Sequence, residues 1–316
     1  MNNGIAQLAA RNTQRSSRSG RAARRALLGL FLLAGCGDRE ATIAVKAIRV
    51  WPVPPAGTLQ PAPRSVGFGR SNEVLVLDTA GRVLVYDESG QLRRQWSMPD
   101  IQDGKPEGVC VLNDGRVVVC DTHYHRVVVF DATGKLFQMF GREGRGNGEF
   151  IYPVAVTKDP QENLYVCEYG SNDRVQKFTS TGSFLLAFGS FGTGPGQFQR
   201  PSGIVWDAGK VYVADAFNNR IQEFTDTGQY VRTLGTVTLH FPYDLRLGSD
   251  GAFYVIEYGA ARLTKLDRDG RLLGRFGGPG SDLGRFATPW GLAVGDQRIV
   301  VADTGNRRLV ELVRPP

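Results

Sequence analysis

The chain has 316 residues, a length that suits one large domain or two smaller ones. Its formal charge of +7 would favour a nucleic-acid partner, but six arginines and no acidic residue lie before residue 36. Without those six arginines, 32 basic residues stand against 31 acidic ones, so the rest of the chain is electrically balanced. This balance argues against nucleic acid as a partner.

The first forty residues have the layout of an export signal. A basic segment precedes a nine-residue apolar run at 26–34, which is too short for a membrane-spanning helix of about 20 residues. The run ends in the sequence LAGC at residues 33–36, which resembles the lipobox of bacterial lipoproteins. The resemblance implies lipidation of Cys36 and attachment to a membrane. An ordinary signal peptide with an accidental cysteine is the alternative.

These features predict the domain organisation and the location. Residues 1–35 would be the signal peptide. Residues 36–62 would be a lipidated N-terminus with a closing strand and a proline-rich connector. In proteobacterial lipoproteins an acid directly after the cysteine favours retention in the inner membrane. Here Gly37 follows the cysteine, so the outer membrane is favoured, with the propeller in the periplasm or at the cell surface. The sequence leaves open whether the export route is Sec or Tat.

Six similar units follow over residues 63–316. Each opens near a proline, has a strand that ends at an acid, and continues through a short polar loop to an arginine that begins the next strand. Successive acids are 42 to 47 residues apart. A period of this length with short strands predicts four-stranded blades around an axis, an all-β six-bladed β-propeller. The acid–arginine pairs are Asp78/Arg82, Asp121/Arg126, Glu168/Arg174, Asp215/Arg220, Glu257/Arg262 and Asp303/Arg308.

The sixth unit stops at Pro316 after its third strand. A strand-like segment at residues 42–51 is available to complete it. The sequence therefore predicts that an N-terminal strand closes the ring.

The repeated marks resemble the NHL repeat over residues 63–316. They are Pro-x-Gly at 106–108, 201–203 and 289–291, and Val-Ala-Asp at 213–215 and 301–303 before an arginine. The resemblance implies a six-bladed propeller that serves as a binding platform. A minority of the family are enzymes, among them the peptidyl-hydroxyglycine amidating lyase, in which zinc-binding histidines follow the blade-opening proline. Here those positions hold Arg64, Glu107, Val154, Ser202, Tyr243 and Trp290.

Several residues allow both a structural and a chemical interpretation. The acid–arginine pairs occur once per blade. A catalytic site would need one such pair rather than six, so the repetition favours a structural role. His123 and His125 could ligate a metal or act as a base, or they could be exposed loop residues. Cys120 and Cys167 are interpreted as small buried residues. A two-residue turn would place Cys110 opposite residue 119 and leave Cys120 on the other face of the hairpin.

The loops between the second and third strands emerge on one face of a propeller, together with the links between blades. Aromatic residues mixed with a few charges at a concave mouth are typical of binding sites, although some would simply pack between blades. The predicted binding face comprises Arg64, Glu107, His123, Tyr124, His125, Tyr169, Phe217, Tyr243, Asp244, Tyr258 and Trp290.

The sequence thus predicts a membrane-tethered, monomeric, non-catalytic binding or scaffolding module of the cell envelope that needs no cofactor. Its ligand would be an unidentified protein, peptide or small molecule. The alternative is an exported lyase or hydrolase with a divalent metal at the channel mouth.

Overall fold

The computed structural model describes residues 41–235 and 237–315. The strand that comes first in the chain is β1 (Ala47–Pro52). The first blade consists of β2 (Pro63–Phe68), β3 (Val74–Asp78), β4 (Arg82–Tyr86) and β5 (Leu92–Ser97). The second consists of β6 (Gly108–Val111), β7 (Val117–Asp121), β8 (Arg126–Phe130) and β9 (Leu136–Phe140). The third consists of β10 (Tyr152–Lys158), β11 (Leu164–Tyr169), β12 (Arg174–Phe178) and β13 (Phe184–Phe188).

A short parallel pair, β14 (Ser190–Phe191) and β15 (Gln197–Phe198), lies in the link to the fourth blade. The fourth blade contains β16 (Pro201–Asp207), β17 (Lys210–Asp215), β18 (Arg220–Thr225) and β19 (Tyr230–Thr233). The fifth contains β20 (Pro242–Leu247), β21 (Phe253–Glu257), β22 (Arg262–Leu266) and β23 (Leu272–Gly277). The sixth contains β24 (Gly291–Val294), β25 (Arg298–Asp303), β26 (Arg308–Val313) and β1. Short 3₁₀ turns occupy Arg70–Asn72, Thr122–Tyr124 and Thr304–Asn306.

The six blades, each an antiparallel sheet, form the predicted six-bladed propeller. Their second and third strands are apolar almost throughout because each sheet is covered on both faces by its neighbours; all five residues of β3 and of β7 are buried. Each of six apolar clusters joins two neighbouring blades, including the sixth and the first. The core of the described part is therefore a closed ring of interfaces between blades.

The N-terminal strand closes this ring, as predicted. β1 pairs antiparallel with β26 from Ala47 opposite Val313 to Pro52 opposite Arg308. The predicted boundaries of 42–51 need correction, because Thr42 instead makes a parallel bridge to Arg275 on β23. The N-terminal segment therefore lies along the outer edges of the fifth and the sixth blades.

The cysteine hairpin differs from the prediction. Cys110 lies opposite Val118, and Gly108 lies opposite Cys120, so the two cysteines share a face of the sheet. The prediction failed because the hairpin turns through residues 112–116, an odd number, with Gly115 in a left-handed conformation at φ +94°. Cys110, Cys120 and Cys167 are all free thiols, and the last two are fully buried.

Within the described residues no helix is long and apolar enough to cross a membrane. The predicted signal peptide and lipidation site at Cys36 lie outside the described residues.

Candidate binding site at the channel mouth

The repeated acids fasten the loop that follows the second strand of each blade. All six are fully buried, and each forms an ion pair with its arginine at 2.6 to 2.8 Å. Asp215 also accepts hydrogen bonds from the backbone N–H of Gln199 at 2.7 Å and from the Asn218 amide at 2.8 Å. The acid thus joins the loop to the preceding link, and the arrangement is common to blades rather than specific to one site.

A β-bulge follows the blade-opening proline and turns one side chain towards the channel. In four blades the pairing with the second strand skips the residue after the proline. A bulge leaves that residue out of the ladder and redirects its side chain. The four residues are Arg64, Val154, Ser202 and Tyr243. Glu107 and Trp290 occupy the equivalent places just before β6 and β24.

A polar chain crosses the channel mouth. Arg64 Nη2 donates to Glu107 Oε1 at 2.7 Å, and the Tyr243 hydroxyl donates to Glu107 Oε2 at 2.9 Å. Arg200 Nη2 in turn donates to the Tyr243 oxygen at 3.0 Å. Glu107 belongs to the second blade and Tyr243 to the fifth, so their hydrogen bond spans the ring and closes the entrance.

Arg64 and Arg200, the two arginines joined by these hydrogen bonds, both stack on aromatic rings. The Arg64 guanidinium carbon lies 4.2 Å from the centre of the Trp290 ring, and that of Arg200 lies 4.1 Å from the Tyr169 ring. Such stacking fixes the planar cation and leaves its edge available for hydrogen bonds. All six blades, or the links that lead into them, contribute to the resulting mouth cluster, which consists of Arg64, Glu107, Tyr169, Arg200, Tyr243 and Trp290.

Arg200 takes a strained backbone conformation just before its proline. Its φ is +59°, in the left-handed region that a residue with a Cβ rarely adopts. The Asp173 carboxylate holds this conformation by accepting the Arg200 backbone N–H at 2.6 Å. Burial alone would lower the pKa of Arg200, but the nearby Tyr243, Tyr169 and Glu107 raise it. Phe241 and Thr288, which also precede blade-opening prolines, have φ of +54° and +41°, so this conformation recurs between blades and belongs to the fold.

An aromatic wall extends from the mouth cluster towards the rim over the fourth to sixth blades. Tyr243 contacts Trp290 at 4.9 Å between ring centres and Tyr258 at 6.0 Å. Phe241 contacts Tyr258 at 5.2 Å and Phe217 at 5.1 Å. Phe217 remains 58% exposed, so the outer end of the wall is free to contact a ligand.

A second wall lies on the second and third blades. Tyr152 packs against Tyr169 at 5.1 Å, His123 at 5.5 Å and His125 at 5.7 Å. Burial lowers the pKa of His123, although Glu107 opposes the shift. His125 Nδ1 contacts the backbone oxygen of Ile151. The two histidines therefore pack within a wall, and no group of three potential metal ligands occurs among the described residues.

The channel beneath the mouth cluster is almost filled. A cavity of about 20 Å³ remains there, which is room for about one water molecule. Asp244 is buried beside it and accepts backbone N–H groups from Leu292 at 2.9 Å and Leu245 at 2.8 Å, with Arg246 at 2.8 Å. Burial raises the pKa of Asp244 to about 6. Asp244 therefore joins the fifth and sixth blades below the mouth and does not reach its surface.

The structure brings most of the predicted residues together but adds three that the sequence reasoning missed. Tyr124 lies towards the rim, where its hydroxyl accepts the backbone N–H groups of Gln102 and Asp103. The missed residues are Arg200, Phe241 and Tyr152. All three stand directly before a blade-opening proline. The position before the proline, and not only the one after it, therefore places side chains at the mouth or in its walls.

Comparison with known proteins identifies the repeat. The family model described as "NHL repeat" matches residues 104–130 and 286–312, which lie in the second and sixth blades. The RING finger protein nhl-1 of Caenorhabditis elegans is 40% identical over 63 residues, covering 19% of this chain and 6% of that protein. Protein brain tumor of Drosophila melanogaster is 27% identical over 116 residues, covering 32% and 11%. The matches thus span only a small part of both relatives.

Solved structures support the fold. A virginiamycin B lyase from Staphylococcus aureus superposes with a TM-score of 0.63 at 13% identity, covering 85% of this chain and 99% of that one. A gluconolactonase from Xanthomonas campestris superposes with a TM-score of 0.64 at 15% identity, covering 86% and 97%. At these identities the likeness concerns the fold alone. Together with the repeat match and the six-sheet topology, it establishes that the chain is a six-bladed β-propeller with NHL repeats.

Proposed function

We propose that this protein is a non-catalytic binding module of the cell envelope, tethered to a membrane through Cys36, which holds a partner over the channel mouth. The observation that carries the proposal is the mouth cluster, to which every blade or its link contributes. Arginine, tyrosine and tryptophan are the residues that most often dominate binding energy at interfaces. Positions that repeat serve the fold, whereas these positions differ from blade to blade.

The hydrogen bonds at the mouth favour binding over acid–base catalysis. Both oxygens of Glu107 already accept hydrogen bonds, one from Arg64 and one from Tyr243. A general base must come within hydrogen-bond reach of the proton that it removes, and the Glu107 side chain is only 4% exposed. A carboxylate held in this way orients the two arginine side chains instead.

Partner capture tests the binding role. Wild-type protein and the variants Trp290→Ala and Tyr243→Phe would be immobilised and exposed to detergent-solubilised envelope extract. The expected result is a partner retained by the wild type, lost in both mouth variants and retained by Phe137→Ala, a control at an exposed residue of an outer strand. A partner retained equally by the mouth variants would place the binding surface elsewhere.

The proposed lipid anchor at Cys36 is tested separately. Cys36→Ala should abolish incorporation of labelled fatty acid and move the protein into the soluble fraction, because one or more buried acyl chains supply the membrane affinity. Cys110→Ala is the matched control. Membrane attachment that persists in Cys36→Ala would contradict the lipid anchor.

The enzymatic alternative is favoured by one observation, that structural neighbours include a lyase and a gluconolactonase. It would require a divalent metal at the mouth. Elemental analysis of the purified protein distinguishes the two proposals: we expect no stoichiometric metal, and one equivalent per chain that is lost in Glu107→Gln would favour the enzyme.

A further inference from the structure

The mouth cluster holds two cations whose hydrogen-bonding capacity is only partly used. A guanidinium has five N–H donors. Arg64 gives one hydrogen bond to Glu107, and its Nε is buried without a hydrogen-bond partner among the described residues. Its side chain is 12% exposed, and that of Arg200 is 19% exposed. Both groups are therefore largely removed from water, which would otherwise satisfy these donors.

The two cations of the mouth cluster share one acidic side chain. Arg64 and Arg200 contribute two positive charges, and Glu107 contributes one negative charge. Glu107 Oε1 lies 2.7 Å from Arg64, whereas Oε2 lies 3.8 Å from Arg200. The nearby His123 adds no charge at neutral pH because burial lowers its pKa. A second carboxylate, that of Asp173, lies close to Arg200 and accepts its backbone N–H. Among the described residues, Glu107 is the only acidic side chain within 4 Å of the two guanidinium groups.

The geometry limits where an anion can sit. The cavity below the cluster, about 20 Å³, is too small for any organic ligand. A ligand must therefore lie above the cluster, with its charged group over the arginines and its remainder between the two aromatic walls. The wall that ends at Phe217 offers apolar surface beside the cations.

We infer that the mouth recognises a carboxylate carried next to an aromatic or aliphatic group, as at the C-terminal residue of a peptide. The inference rests on the proposed binding function. A carboxylate matches the arginine fork and can accept hydrogen bonds from its unused N–H donors. Inorganic phosphate lacks the apolar group that would lie between the walls.

Four probes test the inference by isothermal titration calorimetry at low salt. They are N-acetylphenylalanine, a hexapeptide that ends in phenylalanine with a free carboxylate, the same hexapeptide with a C-terminal amide, and inorganic phosphate. We expect the free acid to bind about tenfold more tightly than the amide, since a charge-assisted hydrogen bond contributes about 1.5 to 3 kcal/mol. A hexapeptide that binds more tightly than N-acetylphenylalanine assigns the carboxylate to a peptide chain, and equal affinities assign it to a small molecule.

Arginine variants test whether the mouth cluster causes the difference in affinity between acid and amide. Arg64→Gln and Arg200→Gln should each weaken binding of the free acid about tenfold and bring it close to that of the amide. Arg200→Lys, which keeps the charge but loses the planar contact with Tyr169, provides a second readout if a glutamine variant folds poorly. Arg142→Gln is the control, because its side chain is 80% exposed and lies away from the cluster.

Several results would overturn the inference. They are equal affinity for acid and amide, tighter binding of phosphate, no binding of any probe at about 10 mM, and full affinity in all three arginine variants at the mouth. If partner capture still depends on Trp290 and Tyr243 while no carboxylate binds, the binding function stands and only the ligand class is wrong.

Discussion

Replacing Asp215 by alanine should destabilise the protein without affecting recognition at the mouth. The Asp215 carboxylate is fully buried and accepts hydrogen bonds from Gln199, Asn218 and Arg220 at 2.7 to 2.8 Å. Alanine would leave these donors without their acceptor and the Arg220 charge without its partner. Breaking a buried pair by removing one member costs about 3 to 5 kcal/mol.

The lower end of that range is expected here. Burial is the main influence on the carboxyl group and raises the pKa of Asp215, so part of the lost interaction is offset because a buried charge is removed. Arg220 also retains hydrogen bonds to the carbonyls of Thr193, Gly194 and Gln197. We therefore expect a loss of about 3 kcal/mol in the free energy of unfolding.

Urea unfolding followed by circular dichroism would measure this change. Asp100→Ala is the matched control, because Asp100 is 53% exposed and pairs with Arg126 at the surface; such pairs contribute about 0 to 1 kcal/mol. A loss of less than about 1 kcal/mol for Asp215→Ala, or one equal to that of the control, would refute the structural role of the repeated acids.

Three further predictions concern other parts of the fold. Deleting residues 41–52 should lower the melting temperature markedly, because β1 pairs with β26 and Trp51 is buried; a deletion protein that melts with the parent would contradict closure by this strand. Asp244, with a pKa raised to about 6 by burial, binds its proton more tightly in the folded state. Its contribution to the free energy of unfolding should therefore fall by about 3 kcal/mol as pH rises from about 3 to 7. Denaturation of Asp244→Asn should lack that component, and an unchanged pH profile would show that Asp244 does not titrate in this way. Cys120 and Cys167 should react with iodoacetamide at pH 8 only on unfolding, because burial raises the pKa of both thiols and shields them; rapid labelling of the native protein would contradict their burial.

The fold was predictable because it repeats. An acid, a loop and an arginine recur six times because every blade must pack between two neighbours in the same way. The sixth unit lacks a fourth strand, and this indicated that the N-terminal segment would supply it. The turn at Gly115 was not predictable, because one residue more or less in a loop changes the register without changing its composition.

The site was only partly predictable because it does not repeat. Tyr243 and Trp290 stood out as large residues after a proline, whereas Arg200 stands directly before one, a position that the repeat pattern did not single out. Its position depends on a left-handed backbone that Asp173 holds in place, a contact across 27 residues. Asp244 looked like a mouth residue because it neighbours Tyr243, yet pairing within the sheet buries it below the mouth.

The strand that closes the ring is synthesised before every other strand of the propeller and is the last to gain its partner. Arg49 on β1 and Glu311 on β26, which are paired in the folded protein, are 262 residues apart. Contacts between such distant residues form slowly because a long loop must close first. Until then Trp51 lacks its cover and β26 presents an open edge, which is a hazard for aggregation. Since the mouth cluster draws on all six blades, recognition can begin only after the two ends of the propeller have met.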